Sequence, residues 1–190
     1  MQDPSRADQK LVEEIVLLKQ RLQDLEHSHA QFKRTEEALR ESEERLELFF
    51  SQSLDGFFFM MLDQPVHWDD GVDKERVLDY VFAHQRVTKV NNAILEQYGA
   101  TEDEYLGLTP EVLFAHDIPA GRRVWRQFFD TGHLRVETDE RRLDGTAFDV
   151  EGDYICLYDA NGLIRGHFGI QRDITERKQA EAKLLESQAL

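Results

Sequence analysis

Cysteine and long apolar runs are scarce in this chain of 190 residues. The single cysteine, Cys156, excludes an internal disulfide and a zinc site built from cysteines. The longest apolar run, residues 57–62, is far too short to cross a bilayer, and no secretory signal sequence is visible. We therefore expect a cytoplasmic protein, or at least one built for a reducing compartment, without a membrane span.

Positive charge is also in short supply. The chain has 23 Lys and Arg against 38 Asp and Glu, so its formal net charge is -15. This charge repels nucleic-acid phosphates and anionic lipid headgroups, and neither is an expected partner. The partners should be proteins or small molecules.

Catalytic signatures are missing as well. Cys156 has no histidine partner on a predicted helix, and neither a glycine-rich phosphate loop nor a distinct pair of carboxylates is present. The acidic stretch within residues 63–76 lacks the spacing of a calcium loop. We expect no catalytic residues and no metal site, and therefore no enzyme.

Large apolar residues, by contrast, recur every seven positions through the first 46 residues, with a second row four positions later. This pattern predicts a coiled-coil helix over residues 1–45 and a homodimer formed through it. The predicted dimer interface consists of Leu11, Ile15, Leu18, Leu22, Leu25, Phe32, Leu39 and Leu46. The second row then changes to His29, Glu36 and Glu43. Either the dimer can shift its register there, or the acidic positions rotate away from the seam.

The next segment mixes strand and helix signals. Residues 57–62 predict a first strand, residues 63–76 a long polar connection, and residues 77–83 a second strand. A helix ending at Gly99 is predicted from apolar residues at helical spacing, namely Val87, Val90, Ile94, Leu95 and Tyr98.

Capping residues indicate the helices that follow. Thr101 and Glu104 have the spacing of a capping box and open a short helix, and residues 110–114 predict another. A longer helix over residues 118–130 follows Asp117, its expected N-cap.

Three runs of alternating apolar and polar residues then predict an antiparallel meander, which begins at Leu134 and continues with strands over 147–158 and 163–172. Asp173 and Glu176 have capping-box spacing, so a helix should start directly after the last strand. We expect Asp173, Ile174 and Thr175 to form a junction that relays movement of this strand to the helix.

Together these elements predict an α+β fold with one five-stranded antiparallel sheet and short helices on one face. A long coiled-coil helix precedes the sheet domain and a short exit helix follows it. The expected segments are the coiled coil at 1–45, the sheet domain at 46–175 and the C-terminal helix at 176–190.

Several short motifs resemble those of the PAS family with its PAC end, a sensory module common in bacterial signalling proteins. They extend over most of residues 46–178, and the last is the most specific. They are Val90-Asn91-Asn92-Ala93, Tyr98-Gly99, Glu104-Tyr105-Leu106-Gly107, His116-Asp117, Asp144-Gly145, Asp159 with Gly162, and Asp173-Ile174-Thr175-Glu176-Arg177-Lys178. The connection at 63–76 departs from the family, in which a tight hairpin is usual.

The resemblance implies a cavity between the last three strands and the helices. The strand that begins at Leu134 directs Thr138 and Glu140 inward by its own alternation. For the next two strands the inward phase is taken from the resemblance. The cavity candidates are Thr138, Glu140, Tyr154, His167, Gln171 and Trp125.

The identity of a ligand stays open at this stage. LOV photoreceptors, a PAS subgroup, need a cysteine near residues 110–114, and none is there. Haem is disfavoured because the helix at 118–130 has no histidine. Non-covalent flavin and a small metabolite remain open, since Trp125, Phe128 and Gln171 could accept a flavin ring. The alternative is a core whose polar groups satisfy one another.

The resemblance also implies the function. We expect a sensory and dimerising PAS module of a signal-transduction protein, with a downstream output such as a histidine kinase of a two-component system or a diguanylate cyclase. The alternative is a ligand-free spacer that holds two chains in register and relays strain from a preceding domain.

Overall fold

The structure, a computed structural model, describes the backbone of residues 4–188 and the side chains of residues 11–187. The outermost residues of the predicted segments 1–45 and 176–190 lie outside this range. Contacts between residues divide the chain into two units, which meet between Phe49 and Phe50. The described part of the first unit lies in one long helix, α1 (Pro4–Ser51), and every side chain from residue 11 to residue 49 is exposed.

The second unit, as far as the structure describes it, is built on a five-stranded antiparallel sheet with the order β2-β1-β5-β4-β3. Its strands are β1 (Gly56–Val66), β2 (Gln85–Val90), β3 (His133–Arg141), β4 (Ala147–Tyr158) and β5 (Ile164–Asp173). Its helices are α2 (Lys74–His84), α3 (Asn92–Tyr98), α4 (Glu102–Tyr105), α5 (Pro110–Leu113), α6 (Ile118–Thr131) and α7 (Thr175–Gln188). The predicted α+β fold is confirmed. Over residues 4–188, no helix has the length and apolar character needed to cross a membrane.

Several predicted caps form where the sequence places them. The Asp117 side chain accepts a hydrogen bond from Ala120 N and begins α6, and Gly132 ends that helix with a φ of 73°. A positive φ costs glycine little, because it has no Cβ. Thr101 and Glu104 form the predicted capping box of α4.

The predicted second strand at 77–83 is wrong, because these residues lie in helix α2. Asp73 starts this helix by accepting a hydrogen bond from Arg76 N. Leu78, Val81 and Phe82, at positions i, i+3 and i+4, form its buried face. The polar connection predicted at 63–76 is therefore shorter, since β1 extends to Val66 and α2 begins at Lys74.

The predicted helix ending at Gly99 is only partly right. Val87 and Val90 have helical spacing but lie in strand β2, where Phe58 pairs with Val90 and Met60 with Val87. Helix α3 starts after them, and Asn91 caps it by accepting from Ile94 N.

The capping box predicted at Asp173 is also wrong. Asp173 still belongs to β5, where it pairs with Val150 of β4, and helix α7 begins two residues later. The Asp173 Oδ1 atom accepts from Thr175 N at 2.9 Å, a short turn between strand and helix. The direct connection of sheet and helix is retained.

Helices α2 to α6 pack on the inner face of the sheet and enclose the core. Phe58 and Met60 of β1 face Trp125 and Phe128 of α6 across this core. The register sets Gln171 of β5 beside Gly56 of β1 on one side and Gly152 of β4 on the other. The central strands therefore bring polar side chains into an apolar interior.

Candidate functional site

A cavity lies between the inner face of the sheet and helices α3 to α6. It brings together all six residues predicted from the sequence: Thr138, Glu140, Tyr154, His167, Gln171 and Trp125. Its remaining wall is apolar or aromatic and includes Phe58 and Phe128. Three lining residues, Leu113, Val124 and Thr138, are half-buried, and the others are buried.

The cavity is small. The space open to the centre of a water molecule is about 20 Å³. This is room for about one or two waters, since one water needs about 10–15 Å³ by the same measure. A ligand of one or two heavy atoms fits without movement of the walls.

The two inward-facing glycines do not enlarge this space. A Cβ on Gly152 would lie 2.1 Å from the Tyr154 hydroxyl, and one on Gly169 would lie 2.4 Å from two carbons of the Phe58 ring. Two aromatic rings thus occupy the room that the glycines leave.

One polar network lies at the β2 side of the cavity. The Trp125 indole N–H donates to Gln85 Oε1 at 2.8 Å, and since indole can only donate, this fixes the orientation of the Gln85 amide. The Gln85 Nε2 group then donates to Met60 O at 3.3 Å and to His167 Nδ1 at 2.9 Å. His167 is 1% exposed, and burial lowers its pKa to about 3. The ring is therefore neutral, with its proton on Nε2.

A second network holds Gln171 from three sides. The Tyr98 hydroxyl donates to Gln171 Oε1 at 3.2 Å, and Gln171 Nε2 donates to the Tyr154 hydroxyl at 2.8 Å. Gln97 Nε2 donates to the Gln171 backbone carbonyl at 3.1 Å. Helix α3 and strand β4 thus both fix the side chain and main chain of β5 at this residue.

Glu140 supplies the cavity's acidic group and is only 2% exposed. Its Oε1 accepts a hydrogen bond from the Thr138 hydroxyl at 2.8 Å. Burial, opposed by this hydrogen bond, raises the pKa of Glu140 to about 7. Burial and then the charge of Glu140 raise the pKa of Tyr154 well above its usual value. Glu140 therefore changes charge near neutral pH inside the core.

The predicted relay residues lie where β5 meets α7. Ile174 is buried, and its backbone N–H donates to Asp149 O. The Thr175 hydroxyl accepts from Asp149 N at 2.9 Å. Arg142 donates to Asp173 Oδ2 at 2.6 Å and also to the carbonyl of Gln97. The junction thus contacts both β4 and the end of α3.

Charged pairs hold the start of α7 against the sheet. Lys178 Nζ lies 2.9 Å from Asp149 Oδ1 and 3.0 Å from Glu137 Oε2. Arg177 lies 3.1 Å from Glu137 Oε1 and 3.5 Å from Glu151 Oε1. The two basic residues that end the motif at residues 173–178 therefore position α7 through ion pairs with carboxylates on the outer surface of β3 and β4.

Some lining residues were not predicted from the sequence. Tyr98 and Tyr105 lie on the wall of the cavity, and Gln85 holds Trp125 and His167 behind it. Tyr98 was assigned only as an apolar helix position. Gln85 carries no sequence signal, because its role depends on partners 40 and 82 residues away.

The residues present do not fit a flavin or a haem. Pockets for ligands of that size enclose about 300–1,000 Å³, whereas this cavity offers about 20 Å³. Trp125 and Phe128, expected to accept a flavin ring, pack instead against the His167 ring at 5.7 and 5.3 Å between centroids. Among the described residues, no cluster of histidine, cysteine and carboxylate side chains could hold a metal ion.

Comparison with known families gives a direct result. The family model described as PAS fold matches residues 77–179, more than half of the chain. The chain belongs to the PAS family. The PAS match covers every wall of the cavity except β1 and includes the junction at Asp173.

Solved structures share the PAS fold at low identity. An RNA-binding light-oxygen-voltage receptor is 19% identical, with a TM-score of 0.55 over 76% of this chain and 36% of the receptor. The PAS domain of a Colwellia psychrerythraea protein is 18% identical, with a TM-score of 0.51 over 70% of this chain and 97% of that one. The PAS domain of an HTR-like protein from Haloarcula marismortui is 20% identical, with a TM-score of 0.50 over 75% and 99%.

These likenesses show the fold alone. This chain spans only about a third of the length of the light-oxygen-voltage receptor, 36%. No curated protein sequence matches the chain significantly.

Proposed function

We propose that this chain is a sensory and dimerising PAS module of a bacterial signal-transduction protein. It acts in the cytoplasm within a longer chain whose output is a histidine kinase of a two-component system or a diguanylate cyclase, and it is not itself an enzyme. Its segments are the coiled coil at 1–45, the PAS domain at 46–175 and the signalling helix at 176–190. The state of the cavity changes the packing of β5, and the junction passes that change to α7.

The position of Gln171 carries this proposal. Its side chain is held by Tyr98 and Tyr154 at the cavity wall. Two residues later Asp173 ends the same strand and holds Thr175 N at the start of α7. A ligand that favours one arrangement of Gln171 would therefore favour one position of the exit helix, through its differential affinity for two states.

The surface of α1 supports dimerisation through this helix. The predicted interface residues on it are 45–67% exposed in a single chain, although all are large and apolar. Burial of such a seam against a second copy stabilises both helices. In proteins most helical stability comes from packing of an apolar face rather than from helix propensity, so most of the stability of α1 should come from its partner.

The cavity gives the second candidate function its support. A space of about 20 Å³ and hydrogen-bonded polar groups around Gln85 and Gln171 also suit a core without any ligand. In that case the chain is a spacer that holds two copies in register and relays strain from a preceding domain.

A distance measurement between exit helices tests the proposal. A spin label at Lys183→Cys, on the exposed surface of α7, reports the separation of the two helices in a dimer by electron-electron resonance. Native Cys156 is buried and burial raises its thiol pKa to about 12, so the label should react at the new cysteine alone.

Gln171→Leu removes both side-chain hydrogen bonds at nearly constant volume, and we expect it to shift the distance distribution. Gln64→Leu is the matched control, the same change on an exposed position of β1. Identical distributions for both variants would contradict the sensory proposal. A spacer predicts that outcome together with a shift when the α1 seam is altered by Leu39→Ala.

A further inference from the structure

Glu140 is a buried carboxylate without a counter-ion in the cavity. Thr138 donates to one of its oxygens, but a carboxylate has about four acceptor positions. Of the fourteen described residues that line the cavity, none is Lys or Arg, and His167 is neutral. A buried charge without a partner is costly. The cavity is therefore open to a ligand that brings positive charge.

The charged groups nearest Glu140 do not supply that charge inside the cavity. Its neighbours on β3, Asp139 and Arg141, pair with each other, and Arg141 also donates to the Glu140 backbone carbonyl at 2.8 Å. The charge of Arg141 lowers the pKa of Glu140 but does not offset the effect of burial. Besides burial, the charge of Glu140 also raises the pKa of three tyrosines on other elements, namely Tyr98 of α3, Tyr105 of α4 and Tyr154 of β4. In each tyrosine burial is the largest cause of a raised pKa, so all three stay neutral.

The walls favour a cation over an anion. Half of the lining residues are aromatic: Phe58, Tyr98, Tyr105, Phe114, Trp125, Phe128 and Tyr154. An aromatic ring attracts a positive charge over its face, most strongly where water is excluded. An anionic ligand would meet the Glu140 carboxylate without a compensating cation in the lining.

We propose that the cavity binds a small ammonium-type cation, ammonium or methylammonium, with Glu140 as its counter-ion. This inference rests on the proposed sensory function and names the ligand class of the same cavity. The size of the cavity restricts the cation to about one or two heavy atoms, since about 20 Å³ is open to the centre of a water molecule.

Without a ligand, a proton neutralises Glu140 in only part of the molecules at neutral pH. Because burial raises the pKa of Glu140 to about 7, the carboxyl is about half ionised at pH 7 in the free protein. The cation binds the ionised form and displaces the remaining proton. Affinity therefore rises with pH, by about tenfold between pH 6 and pH 8, and levels off above that range.

Calorimetric titration of the full chain with methylammonium chloride at pH 6 and pH 8 tests the inference, with KCl keeping the ionic strength constant. Methanol is the neutral probe of the same size. We expect saturable binding of methylammonium, about tenfold tighter at pH 8, and at least tenfold weaker binding by Glu140→Gln. Glu111→Gln, the same change on the exposed face of α5, should bind as the parent does.

The outcomes separate the ligand class from the sensory function. Methanol binding that survives Glu140→Gln would overturn the proposal that the ligand is a cation, and the chain would then be a sensor of small neutral molecules. Absence of methylammonium binding would also overturn the proposal that the ligand is a cation. The sensory function would still stand if Gln171→Leu moves the exit helices. If neither probe binds and Gln171→Leu moves nothing, both proposals fail.

Discussion

Replacement of Glu140 by glutamine should change the pH dependence of stability. In the folded protein burial raises the pKa of Glu140 from 4.5 to about 7, whereas the unfolded chain keeps the ordinary value. Between these two values the folded state binds more protons than the unfolded state. The contribution of Glu140 to stability is therefore full below pH 4.5 and is lost as pH rises towards 7.

The size of this effect follows from the two pKa values. At 1.36 kcal/mol for each pKa unit, the rise from 4.5 to about 7 makes ionised Glu140 cost about 3 kcal/mol at pH 8. Glu140→Gln keeps the shape of the side chain and its hydrogen bond with Thr138 but cannot ionise. We expect the variant to be about 3 kcal/mol more stable than the parent at pH 8, and the difference to vanish below about pH 4.

Urea unfolding followed by tryptophan fluorescence measures this difference, with the free energy extrapolated to water at each pH. Both tryptophans, Trp68 and Trp125, lie in the second unit, so the signal reports the PAS domain. Glu111→Gln serves as the control, because it is the same substitution at an exposed position of α5. A constant difference between parent and Glu140→Gln from pH 5 to pH 8 would refute a raised pKa at this site.

Three further changes test other parts of the structure. Leu18→Glu should convert the dimer to monomers in light scattering, because it buries two charges in the seam, and the off-seam Gln20→Glu should not; a persisting dimer would move the interface elsewhere. Gly169→Ala should lower the free energy of unfolding by about 1–3 kcal/mol, since its Cβ would lie 2.4 Å from the Phe58 ring, and an unchanged urea midpoint would contradict that packing. Lys178→Gln should lower the free energy of protection of the α7 amides by about 0.5–1 kcal/mol at low salt, so that they exchange faster, while Lys183→Gln should not. Equal effects of the two variants would contradict a role of the charged pairs in holding α7.

The sequence is most informative where local chemistry alone determines the structure. Strands β3 to β5 follow from a period of two, and α6 follows from Asp117 and Gly132 at its ends. In these segments neighbouring residues supply the caps, the turns and the alternation. The inward phase of Glu140 could be derived for the same reason.

The errors occur where two periods compete. Residues of α2 are rich in β-branched and aromatic side chains, which favour a strand, yet their burial repeats at helical spacing. In β2, Val87 and Val90 are three residues apart and fit a helix, but pairing with β1 makes them a strand. Tertiary contacts decide both cases, and a single sequence does not contain them.

The cavity could likewise be predicted only in part. Its six polar or aromatic candidates could be named from strand phase and family resemblance, but its volume could not. The ring of Tyr154 packs over Gly152 on the same strand, and the ring of Phe58 packs over Gly169. The second contact depends on the register between β1 and β5. The hydrogen bond between Gln85 and His167 joins residues that lie 82 positions apart in the sequence.

The most direct test of coupling between cavity and exit helix uses the charge of Glu140 as the perturbation. Electron-electron resonance distances between labels at Lys183→Cys are measured from pH 5 to pH 8 in the otherwise native chain and in Glu140→Gln. All other side chains are common to both proteins, so a difference between their responses is due to residue 140. We expect a change in the distance distribution with a midpoint near pH 7, where burial places the pKa of Glu140, and we expect Glu140→Gln to abolish this change. The same pH response in both proteins would contradict it.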